Sequence, residues 1–103
     1  MKTPALTSEE LLRLRRVFAR HPEIKAVKLF GSRAKGTNAA GSDIDLALWG
    51  EVDALRAEAI AAELDDLPTP YKYDVKPFDL IKLRPLREHI QRVGITVYPE
   101  AEN

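Results

Sequence analysis

Cysteine is absent from the chain. Its absence excludes disulfides and thiolate metal sites, and fits a cytoplasmic protein. No apolar run comes near the roughly 20 residues that a membrane-spanning helix needs. The first residues, Met1-Lys2-Thr3-Pro4, carry charge with no apolar stretch behind it, so no secretory signal is expected. An excess of one charge is missing as well, because 16 basic residues balance 16 acidic ones. A general nucleic-acid coat is normally strongly basic, so direct nucleic-acid binding is not expected. A length of 103 residues leaves room for one domain, 1–103, and no separate substrate-binding domain beside it.

What is present is an alternation of helical and strand patterns. Thr7 followed by Glu10 reads as a capping box opening a helix. Leu11, Leu14, Val17 and Phe18 then follow at helical spacing, with Arg13, Arg15 and Arg16 on the solvated side. His21-Pro22 closes that helix, since the residue before proline avoids helical geometry. Strands are expected over residues 25–30 and 43–49. Residues 53–64 are rich in helix formers, with Leu55, Ala59, Ala62 and Leu64 assigned to the inner side. A third strand over residues 71–76 is ended by Pro77, which cannot donate to a ladder. Pro85 suits the first turn of a last helix, 85–93, with Leu86, Ile90 and Val93 inward. Gly94 caps it, and a short strand, 95–98, follows. The order implies an α/β or α+β arrangement of helices against one sheet.

The stretch Gly31 to Asp45 is chemically distinctive. It joins the apolar runs 26–30 and 44–49 through a small, polar connection carrying Arg33 and Lys35. On a strand, Asp43 and Asp45 project together while Ile44, Leu46 and Leu48 take the opposite, core-facing parity. Paired carboxylates of this kind suit hard cations such as Mg²⁺, although Asp-x-Asp alone is as compatible with solvated acids at a strand end. Gly31 permits close approach of backbone to a ligand, and a helical turn starting at Ser32 would present free N–H groups to a phosphate. A P-loop is excluded because Thr37 stands where its lysine must be. A Rossmann fingerprint fails for want of its Gly-x-Gly pair.

Loop and acids together are more specific than either. Gly31-Ser32, ten residues, then Asp43-Ile44-Asp45 gives the pattern G-S-x₁₀-D-x-D. This resembles the nucleotidyltransferase superfamily of DNA polymerase beta. The longer text from Phe30 through Thr37, with Ser42-Asp43-Ile44-Asp45-Leu46, is similar to its smallest branch, the minimal nucleotidyltransferases, over nearly the whole chain. The resemblance implies a mixed sheet of about four strands flanked by helices. It implies nucleotide-phosphate contacts at Gly31 and Ser32, with Arg33 as a further candidate. It also implies metal ligation and catalysis by Asp43 and Asp45.

The family expects a third carboxylate on a later strand, and Asp74 offers it. Lys72, Asp74 and Lys76 share one face by parity, so a surface ion pair with either lysine is the alternative role. Asp79, of opposite parity and beyond Pro77, is the rival acid. Lys35 stands where the family often has arginine; it keeps the charge and loses bidentate geometry. His21 and His89 lack ligand spacing with any partner, and Trp49 reads as a packing residue. The resemblance further implies two Mg²⁺ ions, ATP as substrate, and transfer of AMP to a tyrosine hydroxyl of a HEPN-type toxin encoded alongside. The chain would then act as the antitoxin of a cytoplasmic hetero-oligomer. The alternative is a nucleotide-binding module that neutralises its partner by docking alone. An antibiotic-modifying enzyme is disfavoured, because the helical domain that binds such substrates has no room.

Overall fold

A computed structural model describes residues 6–31, 43–69 and 71–99. Helix α1, Ser8–Ala19, opens as its sequence dictates: the Thr7 hydroxyl accepts from the Glu10 amide at 3.1 Å, and the Thr7 amide donates to Glu10 Oε1 at 2.9 Å. Strand β1, Ile24–Phe30, and strand β2, Ile44–Gly50, pair antiparallel, with Phe30 opposite Asp45. Asp53 caps helix α2, Ala54–Asp65, by accepting from the Arg56 amide at 2.8 Å. The chain returns as strand β3, Tyr73–Pro77, parallel to β2. A 3-10 turn, Phe78–Leu80, leads to helix α3, Arg84–Val93, and strand β4, Ile95–Tyr98, which pairs antiparallel with β1. The sheet order is β3-β2-β1-β4, a mixed four-stranded sheet.

Side-chain alternation divides the interior into two cores. On one face Leu14, Val17 and Phe18 of α1 and Ala57, Ile60 and Leu64 of α2 pack on Ile44, Leu46, Leu48, Val27, Leu29 and Val97. On the other face a smaller cluster joins Phe30, Ala47, Phe78, Ile81 and Ile90, with Trp49 and Leu86 against it. The indoles and phenyls contribute directly: Trp49 stacks on Phe78 with centroids 4.5 Å apart and planes 19° from parallel. Trp49 is thus a packing residue, as expected.

Three expectations need correction. The inner side of α2 is Ala57, Ile60 and Leu64, whereas Leu55 is 76% exposed and Ala59 and Ala62 also face solvent. Leu55 stands two residues, about 200° of helical rotation, from Ala57 and so falls on the opposite side of the helix. Arg15 is not merely solvated: its Nε donates to the Val97 carbonyl at 2.8 Å, tying α1 to the edge strand β4. Strand β3 runs through Pro77, paired with Leu48, because Pro77 lies at the strand end on the sheet edge.

Candidate active site

The site is built at one end of the sheet, on the face shared with the smaller core. Parallel register sets Asp45 of β2 directly against Asp74 of β3. Asp43 precedes β2 by one residue and is exposed, while Asp45 and Asp74 are half-buried. Asp45, Ala47 and Trp49 share a face of β2, and Asp74 and Lys76 share the corresponding face of β3. Asp45 and Asp74 therefore face one another because two strands, distant in sequence, pair in this register.

Gly31 completes the near side. It follows β1 with φ +81°, a conformation L side chains rarely adopt, and a Cβ on it would collide with the Asp45 carboxylate oxygen Oδ2. Glycine is needed here for both reasons: the backbone must turn sharply, and it must pass against the acid. Ser32, Arg33 and Lys35 lie outside the described residues.

Electrostatics show what the arrangement costs. The Asp45 carboxyl is pushed above its ordinary value, first by burial, then by the charge of Asp74, with Asp43 adding to it. Lys76 works in the opposite direction. Its Nζ donates to Asp74 Oδ2 at 2.7 Å, the side chains being 40% and 47% exposed. The ion-pair role read for Asp74 is observed: it sits opposite Asp45 and pairs with Lys76. The rival Asp79 lies exposed in the 3-10 turn beyond β3. Arg87 of α3 anchors that turn, donating to the carbonyls of Phe78 at 3.0 Å and Ile81 at 2.9 Å, with its guanidinium 4.3 Å over the Phe78 ring.

Two features escaped sequence reasoning. Lys76 was visible only as one of two lysines flanking Asp74; its pull on Asp45 as well depends on strand pairing. Arg87 gave no signal, since an arginine in a helix reads as solvated. His21 is structural: its Nε2 lies 2.7 Å from Glu63 Oε2, joining the end of α1 to α2. His89 is half-buried on α3, away from the acids in sequence and element.

Among the described residues, Asp43, Asp45 and Asp74 offer carboxylate oxygens at this end, which suit a hard divalent cation. A carboxyl held above its ordinary value by burial and then by like-charged neighbours gains from added positive charge. Asp43, Asp45 and Asp74 fit Mg²⁺ in chemistry. Among the described residues no three such groups stand close enough to hold an ion without adjustment, and Asp74 is engaged by Lys76.

Residues 13–103 match the family model described as polymerase beta, nucleotidyltransferase. The chain belongs to this family of nucleotidyltransferases. Its fold is close to that of a chain in a toxin–antitoxin complex solved with AMP-PNP, with a TM-score of 0.72 and 22% identity over 90% of this chain and 73% of that one. It is similar also to a chain of the MntA-HepT toxin–antitoxin, at a TM-score of 0.70 and 16% identity over 89% and 72% of the two chains. A third likeness is to a tri-AMPylated Shewanella oneidensis HEPN toxin in complex with MNT antitoxin, at 0.69 and 16% over 90% and 72%. At these identities the likeness is one of fold. No curated protein matches the chain in sequence.

Proposed function

We propose that this chain transfers AMP from ATP to a tyrosine hydroxyl of a HEPN-type toxin and thereby acts as its antitoxin. The observation that carries the reading is the placement of Asp45 against Asp74, with Asp43 one strand step away and Gly31 packed against Asp45. Family membership supplies the reaction class. The likeness of fold to chains of toxin–antitoxin complexes, one of an MNT antitoxin with a tri-AMPylated HEPN toxin and one solved with AMP-PNP, supports the partner and the nucleotide.

In this reading residues 1–103 form one minimal nucleotidyltransferase domain. Asp43, Asp45 and Asp74 hold Mg²⁺, two ions in the full complement, which when bound would neutralise the triphosphate and the charge developing at the α-phosphate. Gly31, Ser32 and Arg33 hold the phosphates. The tyrosine oxygen bonds to the α-phosphorus as the bond to the β-phosphate oxygen breaks, and pyrophosphate leaves. Asp74 takes the hydroxyl proton. The small domain supplies the nucleotide half of the reaction, and the partner supplies the acceptor, in a cytoplasmic hetero-oligomer.

The test is incubation of the chain with labelled ATP, Mg²⁺ and the HEPN-type protein encoded beside it. Label should appear on the partner, and Asp45→Asn should reduce its rate by about 10³-fold or more, as expected when a metal-ligating carboxylate is lost. Toxin neutralisation that persists with all three acids replaced by asparagine would establish docking alone in place of transfer.

A further inference from the structure

Among the described residues, the cation that touches Asp74 is Lys76. Its ammonium lies 2.7 Å from Asp74 Oδ2, and the pair is part-buried. Its charge acts on Asp45 too, against the combined push of burial, Asp74 and Asp43. One ammonium thus serves two acids that the parallel register forces together. The side chain is 40% exposed, and the residue also borders an apolar groove formed with Pro77, Leu80, Ile81 and Leu83.

We propose that Lys76 is a positioning residue that acts as a resident counter-ion, holding Asp74 in place and competing with the divalent cation for it. This rests on the reading of Asp43, Asp45 and Asp74 as cation ligands. Two like charges set opposite one another on adjacent strands destabilise the sheet, and a tethered ammonium offsets that repulsion whenever no divalent ion is bound. A divalent ion brings twice the charge and can touch several carboxylates at once, so it displaces the ammonium. The displaced group then lies beside the site as a cation available to an anionic substrate. Metal affinity at Asp74 is therefore set by a residue that is not itself a ligand.

The test compares the full chain with Lys76→Met, which keeps the apolar stem, and Lys76→Arg, which keeps the charge. Mn²⁺ binding is followed by the paramagnetic signal of the free ion, and thermal unfolding is followed in EDTA and in saturating Mg²⁺. Lys76→Met should bind Mn²⁺ roughly three- to tenfold more tightly, the scale of a partly exposed ion pair removed from competition. It should melt below the native chain in EDTA and recover most of that deficit in Mg²⁺, while Lys76→Arg stays near the native chain in both measurements. A lysine with a purely structural role would leave the deficit unchanged by Mg²⁺. Equal Mn²⁺ affinities, an unchanged deficit, or no ion binding by any of the three proteins would each overturn the proposal. Neither readout involves AMP transfer, so a chain that behaves as expected here and labels no partner would retain the counter-ion and lose the proposed reaction.

Discussion

The two faces of the sheet are made from the same strands and do opposite things. On the α1 and α2 face, Ile44, Leu46 and Leu48 are at most 1% exposed and enclosed by apolar neighbours. On the α3 face, the intervening residues of the same strand are Asp45, Ala47 and Trp49, grading from charge to a small apolar core within five residues. The first face supplies stability, and the second applies it to hold acids where they repel. A strand of period two can carry both tasks without compromise, because neighbouring residues never share a face. The lesson is that repulsion at the site is tolerable only because the opposite face is so completely packed.

The packed face carries the largest expected effect. Leu46→Ala removes a fully buried side chain from the larger core and should lower unfolding free energy by about 2–5 kcal/mol in denaturant titrations. A loss under ~1 kcal/mol would mean that the larger core is not the chief source of stability. Gly31→Ala acts at the boundary between the faces. It places a Cβ against the Asp45 carboxylate at a φ of +81° and should cost on the order of 1–2 kcal/mol. It should also reduce AMP transfer disproportionately, by displacing Asp45; a variant with native stability and native transfer would show that the close approach is unimportant.

The smallest effect is electrostatic. The Asp45 carboxyl is held above its ordinary value by burial and by Asp74 and Asp43. Between its unfolded and folded values the native state binds more protons than the unfolded one, so stability falls as pH rises through that window. Asp45→Asn removes this penalty. The variant should therefore be the more stable protein at neutral pH, by under ~1 kcal/mol given solvent screening, with the difference vanishing as pH falls toward the ordinary carboxylate value. A variant less stable than the native chain at pH 7 would contradict the repulsion, and it would do so independently of activity.

How much of this was legible in the sequence depends on the range of the interaction that decides each feature. The capping box at Thr7 and Glu10 was readable because its bonds span three residues. The parity of Asp43 and Asp45 against Ile44, Leu46 and Leu48 was readable because alternation is a local rule. Asp74 could be ranked over Asp79 by parity, but its opposition to Asp45 could not be read, since register is set by packing between β2 and β3. The inner side of α2 was misread because Ala57 carries a weak hydrophobic signal and Leu55 a strong one, and only the sheet beneath decides between them. The smaller core was legible only in part, through Leu86, Ile90 and Trp49. Phe78 enters it from a 3-10 turn with no periodicity to announce it, held there by Arg87 from another element.

The parallel pairing of β2 with β3 has a bearing on how the protein comes into being. Parallel neighbours cannot be joined by a tight turn, so α2 and its flanking loops form the crossover from β2 to β3. Asp45 and Asp74 meet only at the end of that crossover, when the loop-closure entropy has already been spent. A partly folded chain, with β1 and β2 paired as a hairpin, would carry Gly31, Asp43 and Asp45 without the third acid. The opposition of Asp45 and Asp74 thus requires the whole crossover to be closed, and the carboxylate pair exists only once the sheet's far edge is in position.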